Sequence, residues 1–413
     1  MFIKEDAEKI IKQALQSCLP DKAVRRALEG KKFGKGKIVL VAIGKAAWQM
    51  AKCGAECLGE RLSAGIVITK YGHSKGKIEH CTIVEAGHPV PDENSFVGTR
   101  QAIKLVKNLN QEDTVIFLIS GGGSALFENP LISSEELRDL TNQLLNCGAD
   151  IVEMNTIRKR ISAVKGGKFA KICEPAKVYA VVLSDILGDP LDMIASGPAC
   201  SDSSTCEQAL EIIDKYQISI SEKILQLLKI ETPKFLNNVE TVVTGSVKEL
   251  CTAAAKTCEK LGYKTTILTD QLECQAREAG SIMASIARTY KDSNKPIAFI
   301  AGGETVVKVK GNGKGGRNQE LALAAAEGID GLENVVVFSV GSDGTDGPTD
   351  AAGGIVDGLT AMKLHNLGID IHNVLERNDA YSSLKQVDGL IFTGPTGTNV
   401  NDIACVLIST NKI

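Results

Sequence analysis

The feature that most constrains the fold is a series of short apolar runs rich in Val, Ile and Leu, most closed by glycine or small polar residues and followed by a helical pattern. KIVLVAIG, AGIVITK, CTIVEA, DTVIFLIS and KVYAVVLSD form a first series. TVVTGS, KTTILT, PIAFIAGG, TVVKVKG, VVVFSVGSD, GLIFTG and DIACVLIS form a second. Runs that are continuously apolar, not alternating, are buried on both faces, so the first series predicts a mainly parallel sheet covered by helices. The chain's 413 residues exceed one ordinary core of ~100 to 200 residues and suit two α/β domains. The pattern weakens through QISISEKILQLLKIETPKFLNNVE, which places the boundary after Pro233 and gives domains 1–233 and 234–413. Ala7, Ile10, Ile11, Ala14 and Leu15 stand at helical spacing and Pro20 restarts a second short helix, so residues 1–36 read as a helical lead-in able to pack on the other domain.

A net charge of −3 with scattered Lys and Arg offers no basic field for nucleic acid. The amino terminus lacks a basic head followed by an apolar core, and no apolar run approaches ~18 residues, so neither a secretion signal nor a membrane span is expected. Twelve cysteines without a CxxC pair predict reduced thiols in the cytoplasm; Cys53 and Cys57, one helical turn apart, read as small apolar residues on a buried face.

In open α/β sheets, ligands collect where strand carboxyl ends meet helix amino termini, because unpaired N–H groups and the helix dipole attract anions there. IFLISGGGSALF is the strongest such segment: Ser120, Gly121, Gly122, Gly123 and Ser124 can shape a nest for phosphate or carboxylate. Lys45 follows a strand and Gly44, and a cation at a helix start is tolerable when an anion lies nearby. MNTIRKRISAVKGGKFA is a charge run, ordinarily a solvated helix face, with partial anion binding as the other option. VLSDILGDPLDMIASGP presents Asp185 and Asp189 beyond a strand, suited to Mg²⁺ or to a general base, with Asp185 the better placed.

In the second domain Gly311, Gly313 and Gly316 match GxGxxG, but Arg317, Asn318, Gln319 and Glu320 stand where a dinucleotide-binding helix packs small apolar residues. Arg317 there can donate to a transferring phosphoryl group. Asp343, Asp346 and Asp350 follow another buried strand in a spacing that is not an EF-hand and suit a ligand or metal loop. FTGPTGTNVNDIACVLI carries Thr393, Thr396, Thr398, Asn399, Asn401 and Asp402 between two strands, for substrate hydroxyls or simply to close a hairpin. There is no P-loop, GxSxG or HExxH, and the five histidines show no metal spacing.

The ordered fragments GKAAWQMA, AGHPVPDENS, SGGGSALF, NTIRKRISAVKGGK, LSDILGDP, SGP, AGGET, GKGGRNQE, GSDGTDGPTDAAGG and TGPTGTNVND resemble the type II glycerate kinase family over nearly the whole chain. The resemblance implies an amino-terminal Rossmann-like α/β/α domain, a smaller carboxy-terminal α/β domain of the MOFRL type, and an active site in the cleft between them. It implies phosphoryl transfer from ATP with Mg²⁺ to D-glycerate, with 2-phosphoglycerate favoured over 3-phosphoglycerate, by a monomer or homodimer without nucleic-acid or membrane partners. On matching positions Lys45 and Arg317 are the expected catalytic cations, and Asp185, from its own place beyond a strand, is the expected third catalytic group. Ser120–Ser124 and Asp189 are expected to bind nucleotide or phosphate. Glu304, Asn318, Gln319, Glu320, Thr398 and Asn399 are expected to bind substrate, and Asp343 and Asp346 metal. Two alternatives are a nicotinamide-dependent hydroxypyruvate reductase, which needs a hydride-side acid although no histidine lies at a strand-edge glycine loop, and a non-catalytic sugar-phosphate sensor.

Overall fold

The computed structural model describes residues 2–410. The chain divides into two compact units, one formed by Ala23–Leu183 and Asp189–Thr244, the other by the segment up to Lys22, by Ser184–Gly188 and by everything from Gly245 onward.

The first unit is built on β1 (Ile38–Ile43), β2 (Leu62–Lys70), β3 (Cys81–Ala86), β4 (Thr114–Ile119), β5 (Lys177–Leu183) and β6 (Val239–Gly245). Their order is β3-β2-β1-β4-β5-β6, and β1 pairs parallel with both β2 and β4. Both β1 and β4 are buried at every position, as their unbroken apolar sequences require. Met50, Ala51 and Leu58 of helix Ala47–Leu58 pack with Ala23 and Val24 over Leu40, Ile116 and Val181. Phe117, Phe127 and Phe169 form an aromatic cluster with centroids 4.8 to 5.8 Å apart, Phe127 standing edge-on to Phe169.

The second unit adds β7 (Lys264–Leu272), β8 (Ile297–Gly303), β9 (Val335–Gly341), β10 (Gly353–Asp357), β11 (Leu390–Ile391) and β12 (Asp402–Ile408). The order is β11-β10-β9-β12-β8-β7, with β12 antiparallel to both neighbours and only β7 and β8 shown parallel. Helices Phe2–Ser17 and Val247–Lys260 bury Ile10, Leu15, Leu250 and Cys258 against Ile300, Phe338 and Leu407. On the opposite face, helices Ala276–Tyr290 and Arg317–Gly328 cover Ala301, Val337 and Val406.

The division lies after Thr244, not after Pro233. TVVTGS, grouped above with the second series, is β6 and lies beside β5, where the Val178 amide donates to the Asn238 carbonyl at 2.7 Å. The lead-in helix Phe2–Ser17 belongs with the second unit, where Ala7, Ile10 and Ala14 are wholly buried. TVVKVKG is not a strand: it makes one isolated bridge through Val306 and leaves Val306 and Val309 exposed. GGIVD, which begins in the last two residues of the segment read as a ligand loop, is strand β10. Among the described residues no helix is long and apolar enough to cross a membrane.

Candidate active site

Each unit gathers polar groups at the carboxyl ends of its strands. In the first, Ser120 ends β4 almost fully buried; its Oγ donates to the Ile43 carbonyl and accepts from the Ala46 amide, both at 3.1 Å. The Lys45 amide donates to the Gly121 carbonyl at 2.9 Å. Ser120 therefore ties the ends of β1 and β4 together and has no hydroxyl left for a ligand. Gly122 holds φ at 85°, and a Cβ there would lie 2.9 Å from His88 Cδ2 and 3.2 Å from Lys45 Cγ, so both side chains approach the loop this closely only because this residue is glycine. Ser124 Oγ lies 3.0 Å from Ser196 Oγ, which donates to Asn155 Oδ1.

Beneath the loop, the wholly buried Lys165 donates from Nζ to the carbonyls of Ser124 at 2.7 Å and Phe127 at 3.1 Å and pairs with Glu128 at 2.9 Å. Burial lowers its pKa and Glu128 opposes the shift. The charge run is thus not a solvated face. Lys159 pairs with Asp192 and Asp202, and Arg160 with Glu231, both cations being buried. Asp189 holds φ at 51° with a buried Oδ1 that has no hydrogen-bond partner among the described residues.

The Lys45 side chain is exposed, and among the described residues no acid pairs with it. His73 Nδ1 lies 3.0 Å from the Lys45 carbonyl. His88, half buried, presents its Cδ2–Nε2 edge to Gly122, which corrects the expectation that no histidine reaches a strand-edge glycine loop. Burial, then Lys45, Lys70 and His73, lowers its pKa.

In the second unit, Arg317 opens its helix and is clamped by two carboxylates. Asp402 takes its Nε and Nη2, the latter at 3.1 Å, and Glu304 takes Nη1 at 2.8 Å. The strand register explains the meeting: Asp402 pairs with Gly303 on one side and Gly341 on the other, so β12 carries it between two glycine-ended strands. Asn401 continues the chain of contacts by donating to Glu304 Oε2 at 3.1 Å and to the Asp185 carbonyl at 3.2 Å. Burial pushes the Asp402 carboxyl up to about 6 although Arg317 opposes it, and the paired acids raise the pKa of Arg317. A cavity of about 580 Å³ opens beside this clamp, lined by Arg317, Glu304, Val306, Val309, Gly316 and Asp343.

Several expected ligand residues turn inward. Asp346 gives one oxygen to the Asn318 amide at 3.1 Å and the other to the Gln319 amide at 2.8 Å, so it caps the helix instead of standing open to a metal. Asn318 and Gln319 are buried: the first accepts from Ser339 Oγ at 2.6 Å, and the second donates to Thr349 Oγ1 at 2.9 Å. Glu320 is held by Arg277 and Asn378, and Thr398 Oγ1 donates to the Cys18 carbonyl at 2.9 Å. Asn399 is exposed, while Asp343 accepts from the Thr345 amide at 2.9 Å. Among the described residues no three His, Cys, Asp or Glu side chains gather into a metal cage. His88 is the addition that residue spacing did not single out, while Asp402 and Lys165 were named only within a polar loop and a charge run.

Two family models match the chain, a domain of unknown function (DUF4147) over residues 6–229 and the MOFRL family over residues 297–402. A D-glycerate 2-kinase of Thermotoga maritima is 52% identical over 412 residues, covering 98% of either chain. A glycerate 2-kinase of Pyrococcus horikoshii is 41% identical over 439 residues, covering 100% of this chain and 99% of its own. The crystal structure of a Thermotoga maritima glycerate kinase superposes with a TM-score of 0.94, covering 98% of this chain and 99% of that one. With ten fragments in family order, both domain models and full-length relatives in agreement, the chain belongs to the type II glycerate kinase family.

Proposed function

We propose that the protein transfers the γ-phosphoryl group of ATP directly to the 2-hydroxyl of D-glycerate, giving 2-phosphoglycerate and ADP. The observation that carries this reading is the Arg317 clamp, a guanidinium fixed by Asp402 and Glu304 at a strand edge, in a chain similar end to end to a D-glycerate 2-kinase. A transferring phosphoryl group asks for positioning and charge neutralisation, not for a covalent enzyme intermediate. Arg317 and Lys45 supply fixed and mobile positive charge respectively, and the loop Gly121–Ser124 receives an anionic group on its backbone. Asp185 is proposed to accept the proton of the attacking hydroxyl.

Mg²⁺, when bound with the nucleotide, neutralises charge on the β- and γ-phosphates. Asp343, half exposed with one oxygen engaged by Thr345, fits that ion. Asp346 fits less well, since both of its oxygens already accept helix amides. One or two carboxylates suffice for Mg²⁺ that keeps waters and phosphate oxygens. The twelve free cysteines accord with action in the reducing cytoplasm.

The test is ADP release by the purified protein with ATP and Mg²⁺, with and without D-glycerate. Glycerate-dependent release is expected. Absence of release, with NADH oxidation on hydroxypyruvate, would replace this reading by the reductase.

A further inference from the structure

We propose that His88 is a ligand-contact residue of this reaction, donating from Nε2 to an anionic oxygen held over Gly122 beside the Lys45 ammonium. The ring edge that faces the loop is the Cδ2–Nε2 edge, at the place where Gly122 lacks a side chain. Neither ring nitrogen has a hydrogen-bond partner among the described residues.

The surroundings select an anion. Lys45 and Lys70 are the cations that act on the ring, with His73 beside them. The nearby acids are engaged elsewhere, Asp92 by Tyr71 at 2.7 Å and the Ser95 amide at 3.0 Å, Glu85 by the Ser74 amide at 3.0 Å. The loop's own hydroxyls are also taken, Ser120 by Ile43 and Ala46 and Ser124 by Ser196. Selective contact with the ligand therefore falls to Lys45 and His88, and an imidazole N–H supplies a directed donor where Lys45 supplies mainly charge. Two substrates of the proposed reaction carry such oxygens, the carboxylate of glycerate and the phosphoryl groups of ATP.

The inference rests on the kinase reading, and its test separates the two. In the full-length protein, His88→Ala is expected to raise KM for one substrate about tenfold or more while kcat changes less. His88→Gln, whose amide reaches close to the Nε2 position, is expected to restore most of that loss. A rise confined to glycerate assigns the carboxylate, and one confined to ATP assigns a phosphoryl group. Unchanged KM values for both substrates overturn the assignment. So does a common loss of melting temperature and activity in both variants, since that marks a structural role. Calorimetric titration of each variant with MgADP and with D-glycerate reads the contact without turnover, so wild-type protein that binds but releases no ADP sinks the kinase reading alone.

Discussion

Arg317 is held in place before any substrate arrives, because Asp402 grips two of its nitrogens and Glu304 the third. A lysine cannot reproduce that fork, so Arg317→Lys should lower kcat/KM by about 10² to 10³ in the ADP-release assay, close to the loss for Arg317→Ala. Equal activity of the lysine variant would mean that the fork is dispensable. Asp402 carries a pH signature. Its folded pKa of about 6 lies above the ~3.9 of an unfolded aspartate, so its contribution to stability is fully present below that lower value and is lost as pH rises through about 6. Asp402→Asn should therefore flatten the fall in melting temperature between pH ~4 and ~6, and an unchanged slope would assign that fall to other groups. Arg317 and Lys45 were legible in the sequence because a cation at a glycine-flanked helix start needs a reason. Asp402 was visible only as one polar residue among six in its loop, since its meeting with Arg317, 85 residues away, depends on the β12 register.

The glycine loop rests on an ion pair that sequence reasoning filed under a surface charge run. Lys165→Met removes a wholly buried cation and leaves Glu128 without its partner, so it should cost about 3 to 5 kcal/mol in denaturant unfolding. A loss below ~1 kcal/mol would show that the loop does not depend on Lys165. The strands themselves were legible wherever an apolar run was continuous, as in β1, β4, β9 and β12. TVVKVKG failed because its valines find no neighbouring strand, and β10 was missed because two glycines dilute its apolar signal. At the helix start, Asn318 and Gln319 meet Asp346, a carboxylate supplied by their own chain that no local sequence pattern announces.

Across the whole molecule, the chain's order along the sequence is not its order in space. The helix Phe2–Ser17 covers the second sheet, burying Ile3, Ala7, Ile10, Ile11, Ala14 and Leu15. Each fully buried Ile or Leu is worth about 1.5 to 3 kcal/mol, and four of them rival the 5–15 kcal/mol stability of a typical domain. Removal of residues 1–22 should therefore unfold or aggregate the carboxy-terminal unit, seen as rapid proteolysis after residue 245 with slower cleavage of 23–183. Equal resistance of the truncated and full chains would contradict this. The helical periodicity of that lead-in was plain in the sequence, whereas the unit it joins was not, because an apolar stripe does not name its partner.

The central claim, direct transfer to the 2-hydroxyl of D-glycerate, is tested most directly by following the wild-type reaction with ATP, Mg²⁺ and D-glycerate by ³¹P NMR. The account predicts one new phosphomonoester resonance, coupled to the single C2 proton and growing in step with ADP. Coupling to the two C3 protons, or inorganic phosphate in place of an ester, would contradict it.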